Sequence, residues 1–357
     1  MAEHTAIFRL DGISKNYGNV AALHDISLSV AGNEYISLLG PSGSGKSTLL
    51  RVIAGFEEPD TGRVYFEGRD ITTMPAHERG IGFVFQNFAL FPHLTVFDNV
   101  AFGLINGKKL TPPADVERRV KEVIALVGLA GMEGRGVHQI SGGQKQRVAL
   151  ARTLVMQPKL VLLDEPLGAL DANLRHRMRN ELRAIREKLG VTFLHVTGSE
   201  TEALAMGDRV VVLDRGRIAQ FAKPDEVYAS PATPNVAQFL NRYNIFDGKL
   251  NGGTFEGPFG SLAVSRVTPS DRVAYAVRYD RMRVEPGTEG TQAPGLAATY
   301  VASEYLGSSV MYFFETDAGQ VIEVEHHLSL GEPRTYEPKA RYMLRWKPED
   351  AIAYGRG

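Results

Sequence analysis

An apolar run, Tyr35-Ile36-Ser37-Leu38-Leu39, passes directly into Gly40-Pro41-Ser42-Gly43-Ser44-Gly45-Lys46-Ser47, and the segment from Ser47 through Thr48 to Ala54 has helical spacing. The order strand, G-x-x-x-x-G-K-[ST], helix leaves a chain little choice of fold at this point. Glycines let the backbone curl until successive N–H groups point inward. The positive end of the following helix faces the same place. The spacing therefore predicts a phosphate cradle lined by residues 40–48, the signature of a nucleotide site. Lys46 is expected to reach the β- and γ-phosphates, and the Ser47 hydroxyl to coordinate Mg2+.

A second segment completes such a site. Leu160-Val161-Leu162-Leu163-Asp164-Glu165 is an apolar strand that ends in two carboxylates. Beside a cradle, Asp164 is expected in the shell of the metal, and Glu165 is expected to polarise an attacking water as general base. Read without the cradle, the same segment is equally a strand ending in a solvated turn.

Composition removes several alternatives. A chain of 357 residues exceeds what one core usually supports, so an internal boundary is expected. With 40 Lys+Arg against 41 Asp+Glu the formal charge is −1, which argues against a surface that coats nucleic acid. Cysteine is absent, and with it go disulfide scaffolds, thiolate metal sites and Cys nucleophiles. No run approaches the ~18 apolar residues of a membrane span. The start, Met1-Ala2-Glu3-His4, lacks the layout of a secretory signal. The expectation is a soluble, cytoplasmic chain whose membrane connection comes through another polypeptide.

Up to about Asp214 the texture is α/β, with short apolar runs alternating with amphipathic stretches such as 116–127 and 175–189. That alternation implies βαβ units and a mainly parallel sheet. Between about Asn87 and Gln139 the pattern turns helical, with a loop at Pro112-Pro113, suggesting a helical insertion over about 87–157. Beyond about Arg242 helical periodicity fades. Asn251-Gly252-Gly253, Pro258-Phe259-Gly260, Leu306-Gly307-Ser308 and Asp317-Ala318-Gly319 punctuate short strands, with a hairpin expected from 309–315 and 320–325. The boundary is expected near 240/241, with an α/β domain over 1–240 and a small antiparallel barrel or sandwich over 241–357.

Ile140-Ser141-Gly142-Gly143-Gln144 precedes a run of good helix formers and is a second Gly-rich helix start suited to an anion. In this order the elements resemble the nucleotide-binding subunit of ABC transporters, a P-loop NTPase cassette with a helical subdomain. The usual signature of that family begins with Leu, and Ile140 is the only change. The resemblance runs over about residues 8–237. It implies ATP as ligand, Tyr17 stacked on adenine, Ser141, Gly142, Gly143 and Gln144 on the γ-phosphate of a partner copy, and Asp171 in a loop crossing the dimer interface. Tyr17 is also readable as an ordinary, partly buried tyrosine. Gln86, in Phe85-Gln86-Asn87, matches the glutamine that touches Mg2+ and the attacking water. A head-to-tail homodimer with two MgATP between the copies follows.

One position departs from the family. Gly198 stands where a histidine usually follows the strand-end threonine, and Ser199 replaces the customary Asp. Ser199 with Glu202 reads as a capping box opening a helix through Met206. His195, upstream inside the strand expected over 191–196, reads as a packed histidine with no catalytic role.

The rest of the resemblance concerns partners. Phe88, Phe91, Pro92 and Phe97 read mainly as core packing, in a region where the family receives a coupling helix of a permease. The tail resembles the accessory TOBE, or OB-like, domain of importer ATPases, with Val277-Arg278-Tyr279-Asp280 and the segment from Trp346 to Asp350 matching its strand-end motifs. The run 75–104 looks closest to the polyamine-type group. The expected function is the ATP-hydrolysing motor of an import system at the cytoplasmic face of the inner membrane. It would act with two transmembrane permease subunits, and indirectly with an extracytoplasmic solute-binding protein. The alternative is a nucleotide-gated binding switch with low turnover, motivated by Gly198.

Overall fold

The computed structural model describes residues 6–107, 111–168, 172–264, 267–286 and 295–356. The chain enters as a long antiparallel hairpin, β1 (Ala6–Tyr17) and β2 (Val20–Ala31), and then turns inward at β3 (Tyr35–Leu39), buried along its whole length. β4 (Thr61–Phe66) and β5 (Arg69–Asp70) return to the hairpin and give a sheet of order β2-β1-β4-β5. The second sheet adds β6 (Gly82–Val84), β7 (Leu160–Asp164), β8 (Thr192–Thr197), β9 (Arg209–Asp214) and β10 (Arg217–Ala222) to β3, in the order β10-β9-β3-β8-β7-β6. All its pairings are parallel except β9 with β10. Strands buried on both faces are largely apolar, which is why 160–163 reads as a continuous run and 35–39 as one broken only by Ser37.

The first helix, α1 (Lys46–Ala54), starts at the glycine loop and packs against the sheet with Leu49, Leu50, Val52 and Ile53 fully buried. Its far end is held by Arg79. That buried guanidinium donates to the carbonyls of Val52 and Ile53 at 2.8 and 2.9 Å, and also to those of Thr72 and Met74. A cation on the negative end of the helix satisfies carbonyls that have no partner within it.

The insertion is helical as expected: α2 (Val96–Asn106), α3 (Pro113–Leu126) and α4 (Gly142–Leu154) share one core with β6 and β7. Phe88 and Phe97 pack against that core. The expected loop at Pro112-Pro113 is shorter than anticipated, because Pro113 is the first residue of α3 and Pro112 its N-cap. Proline suits that place, where its missing N–H costs nothing. Two further helices, α5 (Ala172–Leu189) and α6 (Glu200–Met206), flank β8.

The capping box expected at α6 is only half present. The Ser199 hydroxyl accepts from the Glu202 N–H at 3.3 Å. The Ser199 N–H, however, donates to Thr197 Oγ1 at 3.0 Å, which leaves the Glu202 carboxylate free to accept from the Thr197 hydroxyl at 2.8 Å.

Contacts divide the chain into two units, 1–227 and 228–357. Residues 228–240, read from sequence with the first domain, fall in the second unit by their contacts. There the Tyr243 hydroxyl donates to the Tyr228 carbonyl and the Tyr354 hydroxyl to that of Pro231. The second unit is β-rich. One sheet runs Arg283–Pro286, Arg341–Arg345, Gly295–Tyr305, Ser309–Glu315, Val321–His327 in spatial order. A second contains Tyr243–Asp247, Ala274–Arg278, Ala351–Gly355 and Val267–Pro269, and a small meander spans 249–263. The four turn signals singled out in the sequence all join neighbouring strands here.

Candidate functional site

The parallel sheet brings the separate motifs to one edge. The glycine loop leaves the carboxyl end of β3, Thr197-Gly198 that of β8, Asp164-Glu165 that of β7, and Gln86 the loop after β6. Open α/β sheets bind ligands outside the carboxyl ends of their strands, because the connecting loops and helix starts converge there.

The cradle has little room for side chains at its glycines. A Cβ on Gly40 would lie 2.2 Å from the Leu213 carbonyl oxygen, and Gly45 has a φ of +100° that other residues resist. Pro41, Ser42 and Gly43 form the open rim, with Ser47 exposed and Thr48 half-buried at the first turn of α1. The Lys46 ammonium donates to the carbonyls of Gly40 and Pro41 at 2.8 and 2.9 Å. The Ser44 hydroxyl is buried, with no partner among the described residues. A buried hydroxyl left unpaired is costly, and a phosphate oxygen in the cradle would satisfy it.

The carboxylates carry matching tension. Burial, and then the neighbouring Glu165, hold the Asp164 carboxyl above the usual carboxylate range against the pull of Arg51 and Lys46. Burial pushes the Lys46 ammonium below the usual lysine range, opposed by Glu165 and Asp164. The Gln86 amide donates to Glu165 Oε2 at 3.0 Å. Glu165 itself has a φ of +45°, uncommon for a residue with a Cβ, and its N–H is held by the Val196 carbonyl at 3.1 Å.

The remaining expected residues are dispersed. Tyr17 ends β1 and is 45% exposed, with the Lys15 ammonium 5.7 Å from its ring centroid. Ser141 caps α4 in a complete capping box: its hydroxyl accepts from the Gln144 N–H and its own N–H donates to the Gln144 side chain. Ser141 and Gly142 stand exposed, while Gly143 is buried, a Cβ there meeting Leu174 at 2.6 Å. Asp171 lies outside the described residues. Gly198 is exposed, and among the described residues nothing lies within 4 Å of the place a Cβ would take. His195 is fully buried, edge-on to Tyr35, and neither ring nitrogen has a partner among the described residues. Burial pushes its imidazole down to about 3. Spacing alone presents Glu202 only as a cap of α6. The signal available was the threonine placed five residues earlier at the strand end.

A glycine cradle at the end of a central parallel strand, facing a strand-end carboxylate pair, defines the α/β unit as a P-loop nucleotide-binding cassette. The ABC transporter family profile matches residues 23–168 and the TOBE domain profile residues 275–353. A spermidine/putrescine import ATP-binding protein of Acidothermus cellulolyticus is 42% identical over 97% of this chain and 94% of its own. An Fe(3+) ions import ATP-binding protein of Rhizobium etli is 41% identical over 90% and 91%, and a sulfate/thiosulfate import ATP-binding protein of Caulobacter vibrioides is 46% identical over 78% and 82%. Among solved structures, a nucleotide-free ATP-binding cassette from an ABC transporter covers 66% of this chain and 98% of its own at a TM-score of 0.59 and 30% identity. A dimeric cassette bound to ADP and Pi covers 61% and 98% at 0.55 and 32% identity. The chain belongs to the ATP-binding subunits of ABC import systems that carry a TOBE domain, and it is an ATPase of that family. The alternative of a low-turnover switch finds no support in these relatives.

Proposed function

We propose that two copies of this chain enclose two MgATP and that their hydrolysis drives solute uptake through a separate permease. The observation that carries this reading is the gathering of Lys46, Gln86, Asp164 and Glu165 at one sheet edge, with Gln86 bonded to Glu165.

The residues present fit a divalent cation. Ser47, Asp164 and the Gln86 amide oxygen are hard oxygen donors of the kind Mg2+ prefers, and the raised Asp164 carboxyl marks negative charge in need of a cation. When bound, Mg2+ would neutralise phosphate charge that builds during phosphoryl transfer. Lys46 exchanges its two carbonyl partners for phosphate oxygens, and residues 40–45 offer backbone N–H groups and the Ser44 hydroxyl. Tyr17 stacks on the adenine, a contact worth ~1–3 kcal/mol. Glu165 accepts a proton from the attacking water, and Gln86 orients that water. Ser141, Gly142, Gly143 and Gln144 close the site from the other copy, with Asp171 at the crossing between them.

The relatives named for spermidine/putrescine support a polyamine-type solute. Among the described residues no helix is long and apolar enough to cross a membrane. In this reading the chain sits at the cytoplasmic face of the inner membrane on two permease subunits. An extracytoplasmic binding protein delivers the solute to them. The test is steady-state hydrolysis of MgATP by the native chain and by Glu165→Gln, alone and with the permease in proteoliposomes. Turnover should fall at least ~10²-fold in the variant and rise with permease, binding protein and polyamine in the native chain. Equal rates in both chains would refute a catalytic base at Glu165 and the mechanism built on it.

A further inference from the structure

Glu202 is a buried carboxylate that takes no direct part in binding or hydrolysing the nucleotide. It is 6% exposed, and a buried charge persists only where it is paired and hydrogen-bonded. Its partners lie on two other elements. Oε2 accepts from the Thr197 hydroxyl at the end of β8, and Oε1 pairs at 3.4 Å with the Arg175 guanidinium in the first turn of α5. A residue that served only its own helix would turn back to the Ser199 N–H. Here Thr197 Oγ1 takes that N–H, so this hydroxyl is engaged as acceptor and donor together.

Between Thr197 and Ser199 stands Gly198, with no side chain to hold the turn. The residue before Thr197 offers the carbonyl that holds the strained Glu165 backbone at 3.1 Å. A continuous series of contacts therefore runs Arg175, Glu202, Thr197, Val196, Glu165.

Resting on the reading of Glu165 as the base, we infer that Glu202 is a positioning residue for ATP turnover. Its carboxylate locks the start of α5 to the turn carrying Gly198 and so fixes the strand end that holds Glu165. A displacement of the base by an ångström costs far more in rate than in affinity, because it alters the attack geometry and leaves the phosphate cradle intact.

The experiment compares Glu202→Gln, Arg175→Met and the double variant in full-length protein, measuring kcat, KM, thermal midpoint and equilibrium binding of a fluorescent ATP analogue with Mg2+. Each single variant should lose about tenfold in kcat, with KM and analogue affinity within about twofold. The double variant should lose less than the product of the two single losses, because both break the shared Arg175–Glu202 pair. Thr197→Ser, which keeps the hydroxyl, should retain turnover, and Thr197→Val should lose it. Folded single variants with native kcat, or losses that multiply in the double variant, overturn the inference. If Glu202→Gln and Arg175→Met do not fold, the threonine pair decides: native kcat in Thr197→Val overturns it. An inactive Glu165→Gln beside a fully active Glu202→Gln removes this inference alone, while an active Glu165→Gln removes the reading beneath it as well.

Discussion

Gln86 Nε2 donates to Glu165 Oε2 at 3.0 Å, joining the loop after β6 to the carboxylate after β7. The first residue precedes the helical insertion and the second follows a core strand, so one hydrogen bond links the start of the insertion to the base. Replacing Gln86 by Ala removes this partner and leaves Glu165 held by its backbone alone. Turnover should fall about ten- to a hundredfold, while affinity measured for ATP without Mg2+ changes little and affinity for MgATP weakens by less than turnover does. Steady-state kinetics beside equilibrium binding with and without Mg2+ checks this, and a loss of metal-free ATP affinity as large as the loss of turnover would contradict the role given to the Gln86–Glu165 bond.

Gly198 and Gly40 predict opposite outcomes for adding a side chain. Among the described residues nothing lies within 4 Å of a Cβ at Gly198, and its φ is not in the left-handed region, so Gly198→His should leave the thermal midpoint unchanged. With Glu165, Lys46 and Gln86 already in place, turnover should stay within about threefold of the native rate, and a tenfold gain would show that the missing side chain at 198 limits it. At Gly40 a Cβ would lie 2.2 Å from a backbone oxygen that cannot move aside, so Gly40→Ala should cost about 2 kcal/mol. Thermal denaturation and ATPase assays of both variants check the pair.

His195 predicts an acid-sensitive component of stability. Its imidazole titrates at about 3 in the folded chain because of burial, against an ordinary 6.5. The unfolded chain therefore binds a proton below ~6.5 that the folded chain refuses. The associated stability is complete above ~6.5 and drains as pH falls towards 3, by up to about 1.4 kcal/mol per pH unit. His195→Leu should match or exceed the native chain at pH 7.5, and its advantage should widen at pH 6 and 5. Denaturant midpoints across that range test it, and parallel curves for the two chains would contradict it.

Much of this was legible in the residue order because the chemistry is local. The glycine loop, the strand leading into Asp164-Glu165 and the Gly-rich helix start at Ser141 are each written in consecutive positions, and the β-rich unit is announced by its turns. What escaped depends on distance in sequence. Arg175 and Glu202 meet across two helices, and Gln86 meets Glu165 across a whole insertion. The division between units also moved. Residues 228–240 carry helical spacing like the first unit, yet hydroxyls of Tyr243 and Tyr354 take their carbonyls into the second. Ser199 and Glu202 have the spacing of a reciprocal cap, and a threonine just upstream diverted half of it.

The central claim is that each nucleotide is held by the cradle of one copy and the Ser141 segment of the other. Lys46→Ala damages the first and Ser141→Arg the second, so neither variant alone can form an intact site. When the two are mixed, both in a Glu165→Gln chain to prevent hydrolysis, half of the sites in a mixed pair are whole. Sedimentation with MgATP should then show each variant alone as a monomer and the mixture as a dimer holding one ATP per pair. A mixture that stays monomeric, while native-sequence Glu165→Gln chains dimerise around MgATP, would contradict the shared site.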